Sequence, residues 1–489
     1  MWTPGHRGEA PSPWPSVRAR ARVIGVSGSA LALALACSGE GGEHSTTTED
    51  GGTASGGGSV DLGAPVACED HLNVVLVAIE STRFSATTPY VPSLTTTPFL
   101  DGLAKGGVQV KTAYTVVPHT TKALVPMHCG IYPKLVKSII EPDEGAIPTD
   151  CLARRLARVG YATYFIQPAR SSFERREGLV QNFGFAEFDS KETLPNEGFD
   201  ESSYFGFEDD VMLAPALEWI DAQTCPFFLG VLTLTSHHNY GVPEGFPTTP
   251  YSDDETFNNY LNTVSYTDRF VGKLHAALGE RGLLEKTIFV VVGDHGEAFG
   301  EHGRTQHDNV IWDEGLHVPL ILSGPGVGAP RVLEGLYQTL DIPPTIERLL
   351  GLDLGPSDYL GVDILSSPGH SRLYHSCWFD QRCMAMREGT RKVVYHFDLY
   401  PTAVYDLAAD PGETKNVIAE GDNQAFADAG LAAMDEWLDG TNSAYDAALA
   451  SRGITPRPVE AEGEDEDEGE DEDEGEGEDV TAPLRLPGG

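Results

Sequence analysis

The sequence predicts an α/β fold with a mostly parallel central sheet, helices on both faces and a smaller C-terminal subdomain. Runs of apolar residues are typical of strands buried on both faces, and three of them occupy residues 72–79, 227–235 and 287–293. Strands that alternate with helices are typical of parallel sheets covered on both faces. The stretches between the runs are amphipathic, which predicts helices, at residues 149–159, 210–222 and 260–281.

The first 36 residues have the pattern of a secretory signal peptide. Arg18, Arg20 and Arg22 precede an apolar stretch, residues 23–36, that is shorter than the roughly 20 residues of a membrane-spanning helix. The sequence Ala-Leu-Ala-Cys that ends at Cys37 resembles a bacterial lipoprotein box, which implies cleavage there and a lipid on this cysteine. We therefore expect an exported cell-envelope protein anchored in the membrane by its N-terminal lipid. An ordinary signal peptide with an incidental cysteine, or a short anchor helix, is the alternative.

Two segments have compositions that do not support a packed core. Residues 37–67 are rich in Gly, Ser and Thr, which predicts a flexible linker. Residues 451–489 are predicted to form a disordered acidic tail, because residues 460–479 consist almost entirely of Glu, Asp and Gly. A solvating role is expected for this tail, with weak Ca²⁺ buffering or envelope spacing as the alternative.

The chain between these segments is predicted to form the folded body. We expect a catalytic domain at residues 68–369 and the C-terminal subdomain at residues 370–450. The C-terminal subdomain contains a predicted strand at residues 392–397 and a predicted helix at residues 423–438.

The formal net charge of −41 excludes some classes of partner. Nucleic acid requires a basic surface, because its phosphates are bound by Lys and Arg. Docking to anionic lipid head groups by charge is excluded for the same reason. At long range, an acidic protein also repels an anionic ester. Attraction of such a substrate therefore has to come from a cation close to it.

Six cysteines follow Cys37, and an even number in an exported protein is compatible with disulfides. Proximity along the chain predicts the pairs Cys129–Cys151 and Cys377–Cys383. Cys68 and Cys225 each precede an apolar strand, so they could meet at one edge of the sheet. Free thiols in the core are the alternative.

Polar residues that can bind a metal follow the three apolar runs. Glu80, His237 and Asp294 lie at or just beyond the ends of these runs. Because active sites of parallel sheets lie beyond the carboxyl ends of the strands, we expect these side chains to share one site. A helix N-cap or a hydrogen-bonded loop histidine would explain each residue taken singly.

The segment Val292-Gly293-Asp294-His295-Gly296-Glu297 is the most specific motif, since adjacent Asp and His side chains can bind one cation. Together with NVVLVAIESTR at residues 73–83, TSHHNY at 235–240 and DIPPT at 341–345, it resembles the sulfatase branch of the alkaline phosphatase superfamily. The resemblance extends over about residues 70–417. It implies the alkaline-phosphatase-like fold and a metal-dependent enzyme.

The nucleophile position differs from that of true sulfatases, which carry Cys-x-Pro-Ser-Arg and convert the Cys to formylglycine. Counting back from Cys129 places Thr120 at that position. Thr there resembles lipoteichoic acid synthases and the phosphoglycerol and phosphoethanolamine transferases. Thr121 is the alternative nucleophile. We also expect Thr120 to open a helix that Pro126 cuts short.

The resemblance implies one divalent metal ion, which could be Mn, Mg, Zn or Ca. Its predicted ligands are Glu80, Thr120, Asp294 and His295. His237 matches the substrate-loop histidine of the family and is the second predicted catalytic residue, which protonates the leaving group or binds the oxyanion. A second metal ion held by neighbouring histidines is an alternative.

Three further residues are candidates for binding the anionic substrate, because negative charge that develops in the reaction needs positive partners: Arg83, Arg304 and His307. For Arg83, an ion pair with a neighbouring acid is the alternative.

These residues predict a sulfatase-family hydrolase or transferase that acts on phosphate-type esters through a phosphothreonine intermediate. The expected substrate is an anionic ester, such as an envelope glycan or a lipid head group, in the cell envelope or outside the cell. A sulfuric ester hydrolase that uses the same pocket is one alternative. A non-catalytic binding lipoprotein is the other.

Overall fold

The computed structural model describes residues 71–378 and 383–454. The strands in these residues are β1 Asn73–Ile79, β2 Val108–Tyr114, β3 Ala162–Ile166, β4 Glu187–Asp189, β5 Glu201–Ser203, β6 Gly206–Phe207, β7 Phe227–Leu232, β8 Thr287–Gly293, β9 Ala298–Phe299, β10 Thr305–Gln306, β11 His317–Val318, β12 Leu320–Ser323, β13 Arg331–Gln338, β14 Arg372–Ser376, β15 Met384–Glu388, β16 Arg391–Tyr395 and β17 Ala403–Asp406. The α-helices are α1 Pro98–Gly106, α2 Thr120–Cys129, α3 Leu152–Arg158, α4 Arg176–Phe183, α5 Leu213–Asp221, α6 Glu255–Glu280, α7 Asp313–Leu316, α8 Ile342–Leu350 and α9 Asn423–Ser451.

The central sheet has nine strands, and the prediction of a mostly parallel sheet is confirmed. Strands β4, β3, β7, β1 and β8 lie side by side and parallel. Strand β12 continues the sheet beyond β8 in the antiparallel direction and leads to β2. Strand β2 also pairs with β11 in the antiparallel direction and with β13 in the parallel direction.

Helices cover both faces of the sheet because its central strands carry apolar side chains on both faces. In β1, Val74 and Leu76 belong to one buried cluster, which also contains residues of α2, α3, α4 and α8. Val75 and Val77 belong to a second cluster, which contains residues of α1, α5 and α6. The central strands are therefore buried on both faces, as their apolar runs predict.

The predicted helices are present with shifted ends. Helix α6 begins before the predicted residue 260, because the Asp254 carboxylate caps it by accepting a hydrogen bond from the Phe257 backbone N–H. Helix α2 continues past Pro126 to Cys129, so the expectation that Pro126 shortens it is wrong. All ten residues of α2 are buried, and this packing holds the helix together despite the donor that proline lacks.

The C-terminal subdomain is a four-stranded antiparallel sheet, β14–β15–β16–β17, against which α9 packs. Helix α9 is longer than predicted and ends at Ser451. Arg452 then donates hydrogen bonds to the carbonyl oxygens of Ile147 and Pro148. The first four residues of the predicted tail are thus ordered, and Arg452 holds them against the loop that precedes α3. The domain boundary at residue 370 stays a prediction.

Both disulfides predicted from proximity are present, Cys129–Cys151 and Cys377–Cys383. Cys68 lies outside the described residues, so its pairing with Cys225 stays a prediction. The predicted signal peptide, the lipidation site Cys37, the linker and residues 455–489 also lie outside them. Within the described ranges, no helix is both long enough and apolar enough to cross a bilayer.

Candidate active site

The register of the parallel sheet brings Glu80 and Asp294 together. Ile79, the last residue of β1, pairs with Gly293, the last residue of β8, so the two acids follow at neighbouring strand ends. The backbone N–H of Ser81 donates to Asp294 Oδ1 at 2.9 Å, and the backbone N–H of Glu80 donates to Thr233 Oγ1 at 3.0 Å. Both acids are buried. The carboxyl edge of the sheet therefore fixes two carboxylates side by side.

Thr120 opens helix α2 and points its hydroxyl at this pair of acids. Thr120 Oγ1 donates to Glu80 Oε1 at 3.1 Å and lies 3.3 Å from His295 Nε2. The neighbouring Thr121 hydroxyl instead donates to Glu174 Oε2. Of the two candidate nucleophiles, Thr120 is thus the one whose oxygen contacts the strand-end residues.

His295 turns one ring nitrogen toward the same point. Its Nδ1 lies 2.9 Å from the carbonyl oxygen of Gly296, which can only accept a hydrogen bond, so Nδ1 carries the proton. Nε2 lies 3.4 Å from both Glu80 Oε1 and Asp294 Oδ2. Burial disfavours the charged form, but the charges of Asp294 and Glu80 outweigh it and raise the pKa of His295 to about 10. A cation bound between these groups would take the place of the Nε2 proton. The four predicted metal ligands are brought together by the fold.

These residues fit a divalent cation. Ligand atoms of Glu80, Asp294 and His295 all lie within 4.8 Å of one another. Asp294 Oδ2 is buried and has no hydrogen-bond partner, which is costly for a carboxylate oxygen unless a cation binds it. Burial, and then the charge of Glu80, raise the pKa of Asp294 well above its ordinary value. Carboxylate, imidazole and hydroxyl groups suit Mn²⁺, Zn²⁺, Mg²⁺ or Ca²⁺ to different degrees.

His237 and His307 lie beside this cluster, as the sequence predicts. The His307 ring is 4.3 Å from that of His295 and 5.9 Å from that of His237. His237 Nδ1 lies 2.7 Å from the carbonyl oxygen of His238, so Nδ1 is the donor and Nε2 is free to accept a proton. Burial lowers the pKa of His237, and burial followed by the charge of His295 lowers the pKa of His307 to about 3.

Arg83 and Arg304 are held by other groups. Arg83 Nη1 forms an ion pair with Glu301 at 2.8 Å, and its guanidinium lies over the Phe257 ring. This contact matches the alternative of an ion pair for Arg83. The Arg304 guanidinium lies over the Tyr400 ring, 5.8 Å from its centre. Substrate binding by these two residues stays a prediction that their contacts do not favour.

Arg176 is a site residue that the sequence analysis missed. It is the first residue of α4 and is 3% exposed, and its Nε and Nη1 atoms have no hydrogen-bond partner. Burial lowers the pKa of Arg176, and the surrounding carboxylates, which include Glu80 and Asp294, oppose that shift. A buried guanidinium with unpartnered N–H groups beside two acids is suited to bind an anion once a cation balances the charge of those acids.

The sequence offers no signal for Arg176. It lies in the run Phe-Glu-Arg-Arg-Glu, whose mixed charges are typical of an exposed helix start. Glu174, two residues earlier, was missed for the same reason, although it contacts His119 and Thr121 on either side of Thr120.

Comparison with known proteins places this geometry in a family. A family model described as Sulfatase matches residues 72–352. Lipoteichoic acid synthase 2 of Bacillus subtilis is 28% identical over 212 residues, which are 40% of this chain and 31% of that protein. Arylsulfatase A of Bos taurus is 25% identical over 498 residues, which cover 83% of this chain and 93% of that protein. The matches to lipoteichoic acid synthase 2 and to arylsulfatase K span only about a third of those proteins.

Solved structures share the fold. The lipoteichoic acid synthase of Listeria monocytogenes has a TM-score of 0.60 at 20% identity, over 79% of this chain and 94% of that chain. The phosphonate monoester hydrolase of Agrobacterium radiobacter has a TM-score of 0.59 at 18% identity, over 76% and 96% of the two chains. Since the family model spans more than half of the sequence, this chain belongs to the sulfatase family.

Proposed function

We propose that this chain is a metal-dependent hydrolase or transferase of phosphate-type esters that works through a phosphothreonine at Thr120. The observation that carries the proposal is the contact of the Thr120 hydroxyl with Glu80 and His295, at the position where true sulfatases carry cysteine. Threonine cannot become formylglycine, whereas its hydroxyl can attack phosphorus once it has lost its proton.

The first step forms the bond between Thr120 Oγ1 and phosphorus and breaks the bond to the leaving oxygen. A divalent cation held by Glu80, Asp294 and His295 together with Thr120 would lower the pKa of the threonine hydroxyl and offset the charge of the phosphoryl oxygens. Glu80 Oε1, 3.1 Å from Oγ1, accepts the threonine proton. Arg176 donates its unused N–H groups to the phosphoryl oxygens.

The second step forms the bond between the incoming oxygen and phosphorus and breaks the bond to Thr120 Oγ1, which takes back its proton from Glu80. His237 Nε2 carries a lone pair because Nδ1 is the donor to the His238 carbonyl oxygen. This nitrogen takes the proton from the incoming water or acceptor hydroxyl, which then attacks phosphorus. In the first step, the same residue in its protonated form gives a proton to the leaving oxygen.

We also propose that the substrate is an anionic ester of the cell envelope or the extracellular space. The signal-like N-terminus with Cys37 supports export and lipid anchoring, and the two disulfides are compatible with an oxidising compartment. Envelope glycans and lipid head groups are the substrate classes that such an anchor brings within reach.

Hydrolysis of sulfate esters in the same pocket is a second candidate. It is supported by the similarity to arylsulfatase A of Bos taurus over most of both chains. Thr120 in place of the cysteine of true sulfatases makes it the weaker candidate.

The test is turnover of aryl phosphate monoesters, diesters, phosphonates and sulfates by the purified chain with Mn²⁺, Zn²⁺, Mg²⁺ or Ca²⁺. We expect turnover of the phosphorus esters with at least one of these metals, and its loss on chelation. Thr120→Ala removes the nucleophile and lowers kcat at least about a thousandfold.

Thr121→Ala is the matched control, because it deletes the neighbouring hydroxyl that contacts Glu174 instead of the cluster. Its loss should not exceed about tenfold, since the nucleophile remains. Turnover restricted to sulfate esters, or a Thr120→Ala variant that works as well as the wild type, contradicts the proposal.

A further inference from the structure

The segment that presents Arg176 has an unusual backbone. Glu174 has φ 46° and Arg175 has φ 53°, so two consecutive non-glycine residues adopt the left-handed conformation. This conformation is unfavourable for a non-glycine residue and persists only where its surroundings hold it. Contacts of this short segment must therefore fix it in place.

The Glu174 carboxylate supplies two of those contacts, and both reach the start of helix α2. Its Oε1 atom lies 2.9 Å from His119 Nε2, and its Oε2 atom accepts a hydrogen bond from the Thr121 hydroxyl. His119 and Thr121 are the residues immediately before and after Thr120. One carboxylate thus holds the nucleophile segment from both sides.

Further contacts fix the rest of the segment. The Arg175 guanidinium binds Asp143 and the carbonyl oxygen of Ile139. The Phe173 ring packs against Phe205 with ring centres 4.4 Å apart. Among these contacts, only those of Glu174 connect the segment to α2. Arg176 lies two residues after Glu174, and its Nε and Nη1 atoms have no hydrogen-bond partner.

We infer that Glu174 is a positioning residue, which sets the place of Arg176 relative to Thr120 so that both reach the same phosphoryl group. This inference rests on the proposed function and adds a residue to it. Glu174 does not touch the phosphoryl group. It acts on phosphate binding through Arg176, which it holds at the end of the left-handed turn, and its contacts with His119 and Thr121 fix this turn relative to Thr120.

We expect the effects of Glu174 and Arg176 on phosphate affinity to be coupled. The measurement is calorimetry of inorganic phosphate binding to the Mn²⁺-loaded chain. Arg176→Ala and Glu174→Ala should each weaken phosphate binding about tenfold or more. Because Glu174 acts through Arg176, the double variant should bind phosphate as weakly as Arg176→Ala alone. If Glu174→Ala instead damaged the structure elsewhere, the losses of phosphate affinity in the two single variants would multiply in the double variant.

Glu174→Gln is the second variant, should the alanine variant fail to fold. Its amide oxygen can still accept from Thr121, but its NH₂ group cannot accept from His119, so its affinity should lie between those of the wild type and Arg176→Ala. Glu192→Gln is the matched control. Glu192 accepts hydrogen bonds from Ser171 and Ser190 in the neighbouring loop, and its replacement should leave phosphate binding unchanged.

The inference is overturned if Glu174→Ala binds phosphate like the wild type, if its loss is equally large in the Arg176→Ala background, or if the wild-type protein does not bind phosphate. Failure of the proposed function is a separate result, namely unchanged turnover of phosphorus esters by Thr120→Ala. With the proposed function intact, Glu174→Ala should also lower kcat, whereas metal content should stay that of the wild type.

Discussion

Two places in the molecule bury a pair of acidic side chains, and they balance the charge in opposite ways. Where β16 meets the catalytic domain, the ammonium group of Lys392 lies 3.2 Å from Asp313 and 2.8 Å from Glu413. At the carboxyl edge of the central sheet, Glu80 and Asp294 have only His295 within ion-pair distance among the described residues. In the first pair, a lysine lies between the two acids and offsets part of their charge, and the contact joins two parts of the fold.

The second pair has only a histidine within ion-pair distance, and Asp294 Oδ2 has no hydrogen-bond partner. Buried carboxylates whose charge is not balanced destabilise a fold, so a bound cation would stabilise this arrangement. Buried acids alone therefore do not mark a metal site. In this molecule, the pair that has no lysine or arginine within ion-pair distance is the one whose ligand atoms cluster as a cation would need.

The largest effect is expected for Asp294→Asn. The variant should lose bound metal, and turnover of phosphorus esters should fall at least about a thousandfold. Without metal, the free energy of unfolding should equal or exceed that of the wild type, because the variant removes a carboxyl group whose ionisation is disfavoured by burial and by the charge of Glu80. Metal analysis and urea unfolding in the presence of a chelator measure both quantities. A metal-free variant that is clearly less stable than the metal-free wild type would contradict the claim that the buried acid pair destabilises the metal-free protein.

Lys392→Met tests the other acid pair. It leaves Asp313 and Glu413 buried without their cation, so the free energy of unfolding should fall by about 3 kcal/mol. The metal content and kcat of the folded fraction should stay unchanged, because Lys392 lies outside the cluster around Thr120. Denaturant unfolding and active-site titration provide the measurement. A selective loss of kcat at unchanged stability would assign Lys392 to the active site instead.

The smallest effect on stability is expected for His302, whose pairing with Glu314 depends on pH. Burial disfavours its charged form, but the hydrogen bond of His302 Nδ1 with Glu314 Oε1 at 2.6 Å outweighs this and raises the pKa of His302 above its ordinary 6.5. Because the folded pKa is the higher one, this stabilisation is complete below pH 6.5 and is lost as the pH rises through the folded value. Unfolding of His302→Gln should show a weaker loss of stability over that range. An identical pH profile would contradict the assignment.

The sequence predicted the central part of the site because this part depends on strand ends. Glu80 and Asp294 follow buried parallel strands, and in such sheets the register brings neighbouring strand ends together. His295 is adjacent to Asp294, and Thr120 follows from its spacing to Cys129. These four positions need no knowledge of loop conformation.

The features that the sequence did not predict depend on contacts between residues that are far apart along the chain. Arg176 directly follows Glu174 and Arg175, whose left-handed conformations a Glu-Arg pair does not signal. Arg83 is engaged by Glu301, 218 residues further along the chain. The extension of α9 to Ser451 likewise depends on packing against the catalytic domain and not on local composition.

The metal site is tested most directly by the anomalous scattering of a crystal of the chain soaked in Mn²⁺. We expect one strong peak, about 2 Å from ligand atoms of Glu80, Asp294, His295 and Thr120, and its disappearance in crystals of Asp294→Asn. A crystal without a peak at this cluster, grown from protein that turns over phosphorus esters with Mn²⁺, would contradict this metal site.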